Sequence, residues 1–188
     1  MITHLKPLLL LLLAALTIQL SAQNNGTMKN PDTTPVNDFE LERYLGTWYE
    51  IARFPHRFEK DLVGVTATYS LKRNGKVRVE NAGYRDSLDG KFSTATGKAK
   101  FAGNPAVGHL KVSFFLFFYA DYYIMALDKA DYQWALVGSS SPDYLWILCR
   151  EPEMEESVYQ SLLDEARKRG YDLGELERVP QGAVGSGQ

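Results

Sequence analysis

Apolar and polar residues alternate with a period of two, in short runs that turn signals punctuate, and this pattern most limits what the chain can become. Over residues 64–72, Val65, Ala67, Tyr69 and Leu71 alternate with Thr66, Thr68, Ser70 and Lys72. Asn74-Gly75 follows, a strong signal for a two-residue hairpin. Val77 and Val79 then oppose Arg78 and Glu80; Ala95, Gly97, Ala99 and Phe101 oppose Thr96, Lys98 and Lys100; Leu110, Val112 and Phe114 oppose Lys111 and Ser113. The earlier stretch 46–54 has the same strand chemistry, with Gly46 just before a large indole at Trp48. Residues 122–127, 133–139 and 144–150 are apolar on both faces, so they need a cover. The stretch 152–170 supplies it. Acidic residues follow Pro152, Arg167-Lys168-Arg169-Gly170 ends it, and Val158, Tyr159, Leu162, Leu163 and Ala166 recur at helical spacing between them. The predicted class is all-β with one C-terminal helix: an eight-stranded antiparallel up-and-down barrel, which encloses room for one small ligand. Residues 175–179 are expected to add a short strand.

The front of the chain reads as processing signal. Residues 1–22 hold a weakly basic start, an apolar run from Leu8 to Leu16 and small residues before position 23, which fits a secretory signal. Residues 23–37 have almost nothing to bury and are expected to form a disordered leader, with the barrel domain at 38–181 and a flexible tail at 182–188. Loss of the signal removes Lys6 alone among the charged groups, leaving 20 basic against 23 acidic residues, a net of −3. That balance excludes an electrostatic nucleic-acid binder and leaves any membrane contact to apolar residues. Cys149 is the one cysteine, so no intramolecular disulfide forms, and no cysteine near the signal offers an N-terminal lipid anchor.

The inward positions predict a cavity. Ala52, Ala67, Ala95, Gly97 and Ala99 share faces with Phe54, Tyr69, Phe101 and Phe114, and small residues beside aromatics suit an elongated apolar lumen better than a solid core. Val79, Val112 and Trp146 complete the expected ligand-binding lining. Catalytic candidates are sparse. No histidine is spaced to activate a serine or cysteine, and no Cys/His set matches a metal site. No cofactor is expected. Glu50 shares parity with Trp48 and Ala52 and is expected to point inward, paired with a tyrosine hydroxyl or Arg150, because an unpaired buried charge is costly.

Three segments resemble the lipocalins, in particular the bacterial outer-membrane and apolipoprotein D branch: GTWYEIAR at 46–53, YYIMALD at 122–128 and YLWILCR at 144–150. The pieces VTATYSL at 65–71 and KVSFF at 111–115 are similar to the bacterial members. The resemblance implies that Gly46, Trp48 and Arg150 form the signature of the closed end, with Arg150 packed over Trp48. It implies carriage or storage of a fatty acid or lysophospholipid in an exported compartment, in membrane maintenance; the bacterial branch is typically anchored through an N-terminal lipidated cysteine, and this chain is expected to depart from it there. Two other functions stay open at this point: a lipid-modifying enzyme using Cys149 or Glu50, and a protein-interaction module. If the first motif marks the closed end, Phe115, Leu116, Phe117, Phe118 and Tyr119 fall in a loop at the open mouth. Five such residues in one loop read as a ligand entrance, a transient membrane contact or a homodimer surface.

Overall fold

The computed structural model describes residues 30–182. The expected signal and residues 183–188 of the tail lie outside them. One helical turn, α1 (Leu41–Tyr44), precedes eight strands: β1 (Gly46–Arg53), β2 (Leu62–Leu71), β3 (Val77–Arg85), β4 (Phe92–Phe101), β5 (His109–Phe115), β6 (Phe118–Leu127), β7 (Trp134–Gly138) and β8 (Leu145–Cys149). Each strand pairs antiparallel with the next, and β1 pairs with both β2 and β8, so the sheet closes into the expected up-and-down barrel. Helix α2 (Glu156–Lys168) and the short strand β9 (Glu177–Arg178) follow.

The two faces of each strand divide the apolar residues into two cores. Trp48, Tyr69, Val79, Ala99, Ile124, Val137 and Leu148 fill the lower part of the barrel. Ile51, Met125, Leu136, Leu145, Ile147 and Cys149 point outward and are covered by Tyr159, Leu162, Leu163 and Ala166 of α2. The strands that read as apolar on both faces are those under the helix. Burying Leu162 and Leu163 stabilises this docking by roughly 3–6 kcal/mol relative to exposing them.

Alternation fails in β1. Glu50 pairs with Leu148, but Ala52 pairs with the very next residue back, Ile147, so a bulge lies at Ile51. A bulge inserts one residue and flips the parity beyond it. Ala52 and Phe54 therefore join the outer core beneath α2, and Arg53 turns inward. Both residues are corrections to the predicted ligand lining.

The seam between β1 and β2 also parts above the Tyr49–Thr66 pair. The C-terminal segment fills it. Ala52 and Arg53 pair with Arg178 and Glu177, the Gly64 amide donates to the Pro180 carbonyl, and the Gln181 side chain donates to the carbonyls of Glu50 and Val65. Composition predicts disorder through residue 37, but the later part of this leader is tied to the barrel. The Val36 amide donates to Ile124, the Gly108 amide donates to Val36, and the Arg169 guanidinium donates to the carbonyls of Asp32 and Thr34. Polar side chains do not prevent ordering when the backbone supplies the bonds.

The base is built around Trp48. Its indole donates to the Tyr44 carbonyl at 2.8 Å, and the Arg150 guanidinium lies 3.8 Å from the ring centroid. Arg150 also donates to the carbonyls of Thr47, Arg43 and Tyr132, which ties β8 to α1 and β1. Gly46 has φ +94°, which favours glycine, and a Cβ there would sit 3.3 Å from Arg150 Nη1 and press on the guanidinium. Arg150→Ala should cost about 2 kcal/mol of stability by chemical denaturation while leaving affinity for lipid unchanged, since the group faces the closed end.

Candidate functional site

Inward-facing residues that still touch solvent mark the lumen. Ala67, Asn81, Ala95, Val112, Ala120 and Trp146 face inward by register and remain half-buried or exposed. On the β4 wall, a Cβ on Gly97 would lie 2.9 Å from the Phe114 ring. The ring therefore covers the glycine inside the mouth, with its other face open. Of the expected lining, Ala67, Tyr69, Val79, Ala99, Phe101, Val112 and Trp146 lie in or against the barrel core. Val79 and Ala99 are too deeply buried to offer surface, and they belong to the floor.

A chain of tyrosine hydroxyls crosses that floor. Tyr122 bonds Tyr44 at 2.8 Å and accepts from Tyr69 at 2.9 Å. Burial pushes all three phenols above their ordinary pKa, so the floor is neutral and polar.

The open half holds an ionic cluster on the β1 side. The partner of Glu50 is Arg53, at 2.8 Å, where a tyrosine or Arg150 was expected; the bulge at Ile51 brings both side chains inside. Arg53 also donates to the carbonyls of Glu59 and Leu62 and meets Glu177 of β9 at 3.1 Å. From the loop at 55–61 two side chains, His56 and Glu59, thus turn inward, where sequence suggested an ordinary surface loop. Glu59 accepts from Asn81 and from the Trp146 indole, each at 3.3 Å. His56 Nε2 stands 2.9 Å from the Glu59 carboxylate, close but poorly aligned for a hydrogen bond, among the rings of Phe58, Tyr144 and Trp146. Burial and the Glu59 charge hold Glu50 well above the usual carboxylate range. Burial also opposes charge on Glu59, but His56, Trp146 and Arg53 outweigh it and lower its pKa.

The rim is apolar. Residues 115–118 form the tight β5–β6 turn, and Phe115, Leu116, Phe117 and Phe118 are 67%, 61%, 86% and 76% exposed. Phe58, Leu88 and Phe92 add exposed surface on the neighbouring loops. Tyr119 lies outside this set, half-buried under two lysines.

A closed eight-stranded barrel with a C-terminal helix and an arginine over the first-strand tryptophan meets one further observation. The model of the lipocalin-like domain matches residues 39–181. The chain belongs to the lipocalin family. It is 49% identical over 148 residues to the outer membrane lipoprotein Blc of Escherichia coli K12, covering 79% of this chain and 82% of that protein. Mouse apolipoprotein D is 33% identical over 177 residues, with 90% and 91% covered. Insecticyanin of the tobacco hornworm shares the fold with a TM-score of 0.67 at 21% identity, covering 83% of this chain and 88% of that one.

Sequence reasoning found the lipocalin's walls but missed Tyr44, Tyr122, Asn81, Ala120, His56 and Glu59. Alternation on β6 was a usable signal for Tyr122, two residues before the inward Ile124. Nothing local marks a loop that folds inward.

Proposed function

We propose that this lipocalin binds one single-chain lipid, a fatty acid or lysophospholipid, in its calyx and carries or stores it in an exported compartment. The observation that carries the reading is the lumen itself: Ala67, Ala95 and Ala120 leave open surface between an aromatic mouth and a hydroxyl-lined floor. Such small inward residues accommodate an acyl chain. Kinship with an outer membrane lipoprotein supports the exported setting.

The geometry disfavours the enzymatic alternative. Cys149 faces the outer core, away from the lumen, and burial raises its thiol pKa. Glu50 is engaged by Arg53. Lipid extracted from natively purified protein should give one dominant class of single-chain species by mass spectrometry, near one molecule per chain. Recovery of only the bulk membrane lipids, in membrane proportions, would count against selective carriage.

A further inference from the structure

The outer face beneath the β5–β6 turn sets cations opposite one another across its strands. Arg78 lies directly opposite Lys98 on β3 and β4, and Lys100 lies directly opposite Lys111 on β4 and β5. Like charges facing each other across strands destabilise a sheet. Two of the four are answered locally: Arg78 pairs with Glu80, and Lys111 with Asp121 at 3.0 Å. Lys98 and Lys100 have no carboxylate partner among the described residues, and their ammonium groups rest over the Tyr119 ring at 5.6 and 4.6 Å. Tyr119 directly follows Phe118. The β5–β6 hairpin therefore carries four exposed apolar side chains at its tip, with an amphipathic ring and two cations without a carboxylate partner on the outer strand face below it.

A two-residue hairpin turn calls for positive φ, and Leu116 supplies it at +46°. Folding accounts for that backbone, but not for a leucine and three phenylalanines left exposed around it.

We propose that this surface docks on the anionic leaflet of a bilayer. Phe117 and its neighbours enter the boundary between headgroups and acyl chains, Tyr119 sits at headgroup level, and Lys98 and Lys100 meet lipid phosphates. The proposal deepens the carrier reading by naming the surface from which lipid enters the mouth. The net charge of −2 does not oppose it, because screening limits each charge to about 8–10 Å and the local field is that of the lysines. A second copy fits less well, since a two-fold contact of these patches would bring lysines against lysines. The β3–β4 turn is of mixed charge, with Arg85 and Lys91 against Asp86 and Asp89, so the excess lies on the β4–β6 side.

The test is flotation of the full chain with vesicles of phosphatidylcholine alone or containing phosphatidylglycerol. Wild type should favour the anionic vesicles at least roughly tenfold, and high salt should remove the preference. Lys98→Glu with Lys100→Glu should abolish the preference. Phe117→Ser with Phe118→Ser should reduce binding to both compositions. Equal wild-type flotation with both vesicles would overturn the proposal, as would a preference that survives the lysine reversal. So would a serine variant that floats like wild type, or one whose only change is from dimer to monomer in sedimentation, which would give the patch to a second copy. Competition of a fluorescent fatty acid in detergent-free solution reads the calyx separately. Its failure in every variant and in wild type would remove the carrier reading while leaving the flotation result standing.

Discussion

Replacing Ala67 by tryptophan should weaken lipid binding about fifty-fold and leave the barrel folded. Ala67 lies opposite Trp48 on β1 and Asn81 on β3, faces the lumen and keeps part of its surface open. An indole at that position would occupy the space of at least three methylenes of an acyl chain. At about 0.8 kcal/mol each this is roughly 2.4 kcal/mol, or about a fifty-fold loss of affinity. Displacement of a fluorescent fatty acid measures it directly, and a melting temperature within a few degrees of wild type shows that the fold survives. Ala99 is the instructive contrast. It is buried between Val77 and Val112, so Ala99→Trp overpacks the floor and should cost about 1–3 kcal/mol of stability. Full-affinity binding by a folded Ala67→Trp protein would place the lipid outside the calyx.

How much of this was legible depends on the range of the interaction. Strand alternation and turn chemistry are local, so the barrel, the helix and the Trp48–Arg150 base were readable from residues a few positions apart or from motif order. Ala52 and Phe54 were misplaced because a bulge at Ile51 is a property of pairing with β8 and leaves no mark in β1 alone. The same flip moved the partner of Glu50 to Arg53, only three residues away but on the other parity. Glu59 looked like an ordinary loop residue because the bonding that draws it inward, to Arg53, Asn81 and Trp146, comes from three different strands, and His56 follows it in by packing against Tyr144 and Trp146. The Lys98–Lys100 patch was hidden for a related reason. Net charge averages over the chain, whereas the cross-strand register concentrates cations on one face.

The ionic cluster makes the second large prediction. Arg53→Ala removes the one guanidinium that joins Glu50, the loop carbonyls of Glu59 and Leu62, and Glu177. Removing one partner from a buried pair typically costs about 3–5 kcal/mol, because the remaining groups stay buried without compensation. The loop at 55–61 should lose its anchor, so protease cleavage there should accelerate along with the fall in stability. The pH dependence separates the two carboxylates. Glu50 has a raised folded pKa, so it binds its proton more tightly when native. Its contribution is fully present below the unfolded value near 4.5 and is lost as pH rises through the folded value. Glu59 has a lowered pKa, so its contribution is present above about 4.5 and is lost as pH falls through the folded value. Stability should therefore pass through a maximum in mildly acid solution. Glu50→Gln should flatten the decline on the alkaline side, and Glu59→Gln should flatten the decline on the acid side and, by removing the charge that helps to raise Glu50, part of the alkaline decline as well. Denaturation midpoints across pH 3–8 test both. Arg53→Ala with a midpoint like wild type at neutral pH would mean that water, not the guanidinium, satisfies this cluster.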